Sequence, residues 1–321
     1  MKQFVVFLLL AAALLQGAEL LRIEDSVEAM GTTFTVVAYA QDRQRLEDGV
    51  EAAFAEARRL ELMLSNYRAG SEWSRVNREA AHGAVPVSPE LFKLLAFCVE
   101  VSRQSAGTFD ISVGPLMRVW GFYKGSGRLP SKSEVSAALE NVGYENILLD
   151  AESRTVRFRK AGVEIDPGGI GKGYAVDQMT EKLRGLGIRS ALVSAGGSSI
   201  YALGSPPNDS GWTVKIRNPR RWLETVEDIR LKNESLSTSG DYEKFFEAEG
   251  KIYSHIMDPR TGYPASGVLS ASVIAPRTLT SEAWTKPFFI LGRDWAARNK
   301  PEGLRVFFCE DRAELKCAWL Q

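Results

Sequence analysis

The most informative stretch of the chain reads Asp166-Pro-Gly-Gly-Ile-Gly-Lys-Gly-Tyr174, in which four of nine residues are glycine. It follows a strand-like segment at residues 163–165 and precedes a helix predicted over residues 174–186. Glycines let a backbone approach a ligand closely, and a helix N-terminus offers free N–H groups with a partial positive charge. Lys172 adds a full positive charge. The stretch predicts a phosphate-binding turn; the alternative is a tight turn that carries a solvated lysine.

The same stretch matches neither common nucleotide-binding fingerprint. A P-loop requires a glycine in place of Asp166 and a Ser or Thr after Lys172. The dinucleotide pattern that Gly169 and Gly171 would anchor requires a third glycine where Tyr174 stands. Kinases and nicotinamide dehydrogenases are therefore disfavoured.

The segments on either side of the turn mix helices and strands. The predicted helices cover residues 46–66, a segment starting at Ser88, a segment from the capping box at Ser131 through Leu139, residues 174–186 and a segment from about Ser281. The predicted strands are 32–40, 147–149, 155–158, 191–194, 212–216 and 270–274. This order predicts an α+β fold made of two interlocked α/β halves with a ligand cleft between them.

The charge balance argues against nucleic acid as a partner. Forty basic residues match forty acidic ones among 321, with 45% apolar and 25% charged residues, as in ordinary globular proteins. No global field draws such a chain to nucleic acid or anionic lipid. Any anion that it binds must be held by a local site.

The N-terminus resembles an export signal. Lys2 precedes an unbroken apolar run at residues 4–15, which is shorter than the roughly 20 residues that span a bilayer. Gly17 and Ala18 then precede a polar stretch, so we expect a signal peptide at 1–18 and one domain at 19–321. The alternative is a buried N-terminal strand or helix. With no cysteine nearby for a lipid anchor and no later span, we expect an exported, periplasmic protein that does not span the membrane.

Three cysteines remain. Cys98 falls on the apolar face of a predicted helix and is expected in the core. Cys309 and Cys317 flank a polar stretch typical of the turn of a terminal hairpin. An oxidising compartment permits a disulfide between them, and two free thiols are the alternative.

Further candidate residues lie in three other segments. His255, one of only two histidines, stands in Ser254-His-Ile-Met-Asp-Pro-Arg-Thr-Gly-Tyr-Pro264, where it can act as a base, hold a ligand or serve as a structural hydrogen-bonding residue. His82 falls in a small-residue loop and is expected at the surface. Residues 238–241 form a predicted polar turn. Aromatics around Asp110 suit a flat ring or the core.

Taken together, these segments resemble the ApbE family of FAD:protein FMN transferases. The matches run in order along nearly the whole predicted mature chain. They include Met30-Gly31-Thr32, Leu64-Ser-Asn-Tyr67, residues 107–116, Trp120-Gly-Phe122, residues 166–177, Ala195-Gly-Gly197, residues 238–242 and residues 255–262. The last matching residue is Gly292.

The resemblance implies an enzyme that binds FAD, cleaves its pyrophosphate with Mg²⁺ and transfers FMN to a Ser or Thr hydroxyl of an exported flavoprotein. Such phosphoryl transfer requires positioning, cations and an acceptor for the hydroxyl proton. His255 and Lys172 take the catalytic positions. The FAD-contacting positions fall on Met30, Tyr67, Thr108, Phe109, Asp110, Asp166, Lys172 and Ile256, and the backbone of Gly169 falls on a metal ligand.

The resemblance breaks down at Ser281-Glu-Ala-Trp-Thr-Lys286. The family usually has an Asp at the position of Glu282 and a Thr at that of Lys286, and both side chains bind metal. Glu keeps an oxygen ligand, whereas an ammonium has no lone pair and repels Mg²⁺. Either Lys286 replaces the metal and pairs with Glu282 and the pyrophosphate, or it turns outward while Mg²⁺ binds Glu282 with help from Thr285.

These alternatives leave three functions. The first is an FMN transferase with FAD as substrate and Mg²⁺ in doubt because of Lys286. The second is a catalytically degenerate FAD-binding protein. The third is an FAD pyrophosphatase that releases FMN and AMP.

Overall fold

A computed structural model of the chain describes residues 20–311 and 314–321. The expected signal peptide at 1–18 lies outside these residues. Within them, no helix is both long enough and apolar enough to cross a bilayer.

The fold combines helices, one large sheet and several small ones. The helices are α1 (Arg43–Leu64), α2 (Glu72–Glu79), α3 (Pro89–Gln104), α4 (Gly114–Val119), α5 (Lys132–Leu139), α6 (Gly171–Gly185) and α7 (Thr278–Asn299). The strands are β1 (Leu21–Ala29), β2 (Thr32–Ala40), β3 (Val85–Pro86), β4 (Ile147–Asp150), β5 (Thr155–Phe158), β6 (Ser190–Ala195), β7 (Ser199–Leu203), β8 (Trp212–Arg217), β9 (Thr225–Leu231), β10 (Glu234–Gly240), β11 (Phe245–Ala248), β12 (Lys251–Ser254), β13 (Met257–Asp258), β14 (Tyr263–Pro264), β15 (Val268–Ala275), β16 (Arg305–Glu310) and β17 (Lys316–Trp319).

An eight-stranded antiparallel sheet forms the centre of the molecule. Its strand order is β1-β2-β6-β7-β10-β15-β16-β17. The first two strands of this order come from the N-terminal half of the chain and the other six from the C-terminal half. The antiparallel pairing of β2 with β6 joins the two halves. The predicted α+β fold class is thereby confirmed.

Helices α1, α6 and α7 pack together on one face of this sheet. Helix α1 buries Leu46, Val50, Ala57 and Leu60 at helical spacing, and its N-cap Asp42 accepts a hydrogen bond from the backbone N–H of Arg45 at 2.8 Å. These buried side chains belong to the largest apolar core, which the sheet and the three helices share.

The opposite face of the sheet carries a second, smaller core. Side chains alternate across a strand, so Leu236 of β10 and Ile274 of β15 face away from α7. There they pack with Trp212 and Val214 of the β8–β9 hairpin. This hairpin rises beside the sheet and forms one wall of the cleft described below.

Local sequence signals located most elements well. The strand at 32–40 is confirmed with its predicted bounds, and Ser88 and Ser131 are the N-caps of α3 and α5, the latter with the expected capping box. Helices α1, α6 and α7 each begin three residues earlier than predicted. Helix α6 therefore includes the last two glycines of the turn.

Two predictions about local structure were wrong. Residues 163–165 form no regular strand: Glu164 makes one isolated bridge to Val113. The Asn77 side chain takes the place of a partner strand, because it accepts from the Ile165 N–H at 2.8 Å and donates to its carbonyl at 2.9 Å. The predicted polar turn at 238–241 lies mostly within β10, since Thr238 pairs with Ser272 of the neighbouring strand.

A disulfide closes the C-terminal hairpin. Cys309 of β16 lies directly opposite Cys317 of β17, and the two sulfur atoms are bonded. Cys98 is a fully buried free thiol, as predicted. The disulfide alternative is thus the one that the structure contains.

Candidate active site

The glycine turn borders a large cleft of about 1180 Å³. Small-molecule sites usually measure roughly 300–1,000 Å³, so this cleft has room for a ligand the size of a dinucleotide. Its walls come from the turn, the end of α1, the β8–β9 hairpin, the segment after β10 and His255. Segments far apart in sequence therefore meet at one site.

The floor of the cleft is the N-terminus of α6. The N-cap residue Ile170 has no side-chain cap; Gly171 donates its N–H to the Pro167 carbonyl at 2.8 Å and Gly173 donates its N–H to the Glu282 carboxylate, so what the helix end offers an anion is chiefly its partial positive charge. Lys172 lines the cleft in the first turn. Its ammonium donates a hydrogen bond to the Ser198 hydroxyl and lies 3.8 Å from the Glu243 carboxylate. The ligand-free lysine is thus held in place at the helix end.

Asp166 shapes the entry into the turn. One carboxylate oxygen accepts from the Gly168 N–H at 2.8 Å. The other accepts from the Asn66 amide at 2.8 Å and the Tyr123 hydroxyl at 2.9 Å. Burial raises the pKa of Asp166, and these three donors oppose that rise. The Asn66 carbonyl oxygen is buried without a partner in the described residues, which suits a ligand that donates a hydrogen bond.

His255 lies in the same cleft as Lys172. Burial lowers the pKa of His255 to about 4, and the nearby charge of Lys172 acts in the same direction. The imidazole is therefore neutral at pH 7. Its Nδ1 lies 3.0 Å from the Lys244 carbonyl oxygen, which only accepts, so Nδ1 carries the proton. The lone pair of Nε2 can then accept a proton from a substrate.

Aromatic rings and a methionine side chain line other parts of the cleft. Tyr67 is 75% exposed there, and its ring meets that of Tyr123 edge to face at 6.3 Å. Trp222 lies on the β8–β9 side, and Met30 packs against Gly171 at the floor. Aromatic rings of this kind can bind a planar ligand group by stacking.

Four predicted FAD-contacting residues are buried and are not among the residues that line the cleft. The Thr108 hydroxyl donates to the Ser105 carbonyl at 2.7 Å. Asp110 accepts from the backbone N–H groups of Ser112 and Tyr144, both at 2.7 Å, and burial raises its pKa to about 6. The other two, Phe109 and Ile256, are buried beside Gly169 and His255 respectively. Their contact with FAD stays a prediction.

The predicted metal positions come together behind the turn. The Lys286 side chain passes Gly169, with its Cε 3.6 Å from the position a Cβ would take there. Glu282 is only 2% exposed, and its carboxylate accepts from the Gly173 N–H. The Lys286 ammonium donates to the Glu282 carbonyl at 3.0 Å.

The Mg²⁺ that the resemblance implies does not fit these residues. Magnesium requires about six oxygen ligands, whereas here an ammonium occupies one ligand position and one Glu282 oxygen is taken by the Gly173 N–H. The Thr285 hydroxyl forms a hydrogen bond with the Ser239 hydroxyl at 2.7 Å and donates another to the Glu282 backbone carbonyl at 2.6 Å. Across residues 20–311 and 314–321, no three His, Cys, Asp or Glu side chains gather into a potential metal site.

The helix that carries Glu282 and Lys286 is fixed to the helix of the turn. Asp177 of α6 accepts from the backbone N–H groups of Thr278 and Leu279, at 2.7 and 3.1 Å, and so caps the start of α7. The two helices are therefore joined at both Asp177 and Gly173.

Sequence reasoning missed several residues that line the cleft. Ser198 and Glu243, the partners of Lys172, directly follow two segments that the resemblance had marked, at Gly197 and Tyr242. Tyr123 likewise follows Trp120-Gly-Phe122. Adjacency to marked segments was the available signal, but none of the three has a distinctive spacing.

The fold and the cleft together define a class of protein: an α+β protein in which a glycine-rich helix N-terminus, a lysine and a histidine border one cleft. The family model described as "ApbE family" matches residues 30–308, and the chain belongs to the ApbE family.

Relatives and solved structures agree with this family. The chain is 32% identical to an FAD:protein FMN transferase of Haemophilus influenzae, over 84% of this chain and 81% of the relative, and 30% identical to one of Klebsiella pneumoniae, over 88% and 87%. Its structure is similar to an ApbE protein of Thermotoga maritima (TM-score 0.85, 30% identity, covering 93% of this chain and 97% of the other). It is also similar to the apo flavinyl transferase ApbE of Pseudomonas stutzeri (0.83, 29%, 94% and 95%).

Proposed function

We propose that this chain is an FAD:protein FMN transferase. It binds FAD in the cleft, cleaves the pyrophosphate and attaches FMN to a Ser or Thr hydroxyl of an exported flavoprotein. The names of its relatives support the reaction, and the joint presence of Lys172 and His255 in one cleft supports the chemistry.

The pyrophosphate binds at the N-terminus of α6. The partial positive charge of the helix end attracts the phosphate oxygens, and Lys172 adds a full charge in the first turn. Because Lys172 already bonds to Ser198, little side-chain freedom is lost when the ligand arrives. The paired rings of Tyr67 and Tyr123 are placed to hold the planar part of the ligand.

His255 then accepts the proton of the acceptor hydroxyl. As the hydroxyl oxygen attacks the phosphorus of the FMN half, a new P–O bond forms and the bond to the bridging oxygen breaks. AMP leaves with the electron pair of that bond, and the proton moves to Nε2 of His255. Lys172 and the helix N-terminus stabilise the negative charge that gathers on the phosphate oxygens.

The observation that carries the proposal is the neutral His255 in the cleft that Lys172 lines. The purified chain should be incubated with FAD and a peptide that contains one acceptor Thr, with and without Mg²⁺. A fluorescent peptide that keeps its flavin after denaturation supports transfer. Intact bound FAD with unmodified peptide would instead identify a binding protein, and free FMN with AMP a pyrophosphatase.

Export is part of the same proposal, with residues 1–18 as signal peptide and 19–321 as one domain. The apolar start of the sequence and the Cys309–Cys317 disulfide support it, because disulfides persist in oxidising compartments. Fractionation of a bacterial host that expresses the full chain provides the test. A shortened chain in the periplasmic fraction is expected, and an unshortened chain confined to the cytoplasm argues against export.

A further inference from the structure

Lys286 places a positive charge inside the molecule, next to the phosphate-binding turn. Its stem lies against Gly169, immediately after the cleft-lining Gly168, while its ammonium bonds to the Glu282 carbonyl at 3.0 Å. The ammonium is also close enough to Lys172 and Glu243 for their charges to act on it. Lys286 therefore lies directly behind the site where the diphosphate of FAD would bind.

The ligand-free chain only partly compensates this charge. The hydrogen-bond acceptor of the Lys286 ammonium is the neutral backbone carbonyl of Glu282 rather than a carboxylate. The Glu282 carboxylate accepts from the Gly173 N–H at the positive end of α6, and the Glu243 carboxylate lies 3.8 Å from the Lys172 ammonium. Burying a cation is costly unless an anion meets it. A diphosphate in the turn would supply the missing negative charge.

The two departures from the family pattern are consistent with each other. The longer arm of Glu282 lets its carboxylate reach the N–H of Gly173 and serve as a partner of the helix end. The lysine four residues later then supplies positive charge beside the turn. A lysine ammonium is a compact point charge that binds phosphate oxygens well.

We propose that the Lys286 ammonium is the resident cation of the diphosphate site and replaces a divalent metal, so that this chain binds FAD without Mg²⁺. The inference rests on the proposed function in one respect only, namely that FAD is the ligand. It assigns to Lys286 a role in ligand binding.

Titration of the full chain with FAD, followed by quenching of flavin fluorescence, tests the inference. The dissociation constant in EDTA is expected to lie within about twofold of that in millimolar Mg²⁺, because nothing in the site would take up the metal. Tightening by Mg²⁺ of fivefold or more would overturn the inference while leaving FAD binding intact. A chain that binds FAD in neither buffer would instead overturn the proposed function.

Two variants sharpen the test. Lys286→Thr is expected to weaken FAD binding in EDTA by roughly tenfold to a hundredfold, the effect of losing a hydrogen-bonding charge. The double variant Glu282→Asp/Lys286→Thr is expected to bind weakly in EDTA and to regain affinity in Mg²⁺. The control Lys251→Thr, at an exposed strand position outside the cleft, should behave like the unmodified chain.

Each result is read with a thermal melt of the same preparation. Folded Lys286→Thr that binds FAD in EDTA as tightly as the unmodified chain would overturn the inference, and so would a folded double variant that is indifferent to Mg²⁺. If a variant does not fold, the comparison of EDTA with Mg²⁺ on the unmodified chain still decides between the outcomes.

Discussion

The floor and the rim of the cleft are built in opposite ways. At the floor, the first turn of α6 is packed tightly against α7, since a Cβ on Gly173 would lie 2.6 Å from the Thr278 carbonyl oxygen. At the rim, the turn between β8 and β9 presents side chains instead, with Trp222 57% exposed and Leu223 97% exposed.

The floor and the rim are also held in place by different kinds of contact. The floor is joined to α7 through buried hydrogen bonds at Gly173 and Asp177. The rim is held by the Asn218 side chain, which accepts from two N–H groups of its own turn, and by the Arg217 guanidinium at 4.0 Å from the Trp222 ring centre. The floor is thus held by a neighbouring helix, whereas the rim is held by contacts within its own turn. Substitutions at the floor should therefore have larger effects.

The largest effect is expected at the proton acceptor beside the floor. His255→Ala should reduce FMN transfer by about 10²- to 10⁴-fold, the usual contribution of a general base, and change FAD affinity by less than about twofold. Peptide labelling and flavin fluorescence measure the two quantities. His82→Ala, at the exposed second histidine, is the matched control. If both variants lost the same amount of transfer activity, or if His255→Ala no longer bound FAD, His255 would not be the general base.

The next largest effect concerns the charge at the floor. Lys172→Met should weaken FAD binding by roughly tenfold to a hundredfold, because one charge-assisted contact to phosphate is lost. Lys182→Met, in the same helix with a half-exposed side chain outside the cleft, is the control. Calorimetric titration with FAD gives both affinities. Unchanged binding by Lys172→Met would show that the floor does not bind the phosphates.

The tight packing of the floor can be tested without any ligand. Gly173→Ala should destabilise the fold by about 1–3 kcal/mol through overpacking against Thr278 and Glu282. Gly185→Ala, at the other end of α6 where no atom lies within 4 Å, should be neutral or slightly stabilising. Urea denaturation compares the two. Equal stabilities would mean that the floor is not tightly packed.

The rim should respond less strongly. Trp222→Ala is expected to weaken FAD binding by only about two- to tenfold, the contribution of one aromatic contact. Trp222→Phe, which keeps a ring, should recover most of the loss. If Trp222→Ala weakened binding as much as Lys172→Met, the distinction between floor and rim would be wrong.

The smallest expected effect is that of pH. Because burial lowers the pKa of His255 to about 4, the base stays neutral as the pH falls from about 7 to about 5. The rate of transfer should thus change by less than about twofold over this range on account of His255, and should fall only as the pH passes below about 4. An unperturbed histidine would lose half its activity near pH 6.5. A midpoint there would contradict the burial of His255.

Elements with a local signal were predictable from the sequence. Ser88 and Ser131 mark helix starts because their hydroxyls cap backbone N–H groups three residues ahead. The terminal hairpin was predictable from two cysteines around a polar turn. The strand at 32–40 was predictable from its β-branched and aromatic residues. In each case the determining contacts lie within about ten residues.

The remainder depends on contacts that are distant in sequence. The sequence near residues 163–165 gives no sign that the distant Asn77 side chain forms the backbone hydrogen bonds that a partner strand would make. Likewise, Ser198 and Glu243 meet Lys172 only because the sheet order brings the ends of β6 and β10 to the floor. The sequence alone shows that Lys286 departs from the family pattern, but only the structure shows that its side chain lies against Gly169.

The cap that Asp177 provides for α7 has an evolutionary consequence. Because it fixes where α7 starts, independently of the residues one and two turns further on, we expect the backbone at positions 282 and 286 to keep its place when these two residues are exchanged. If Lys286 takes the place of the metal, two substitutions would then suffice to change the metal requirement of such a protein, with His255 and Lys172 left untouched.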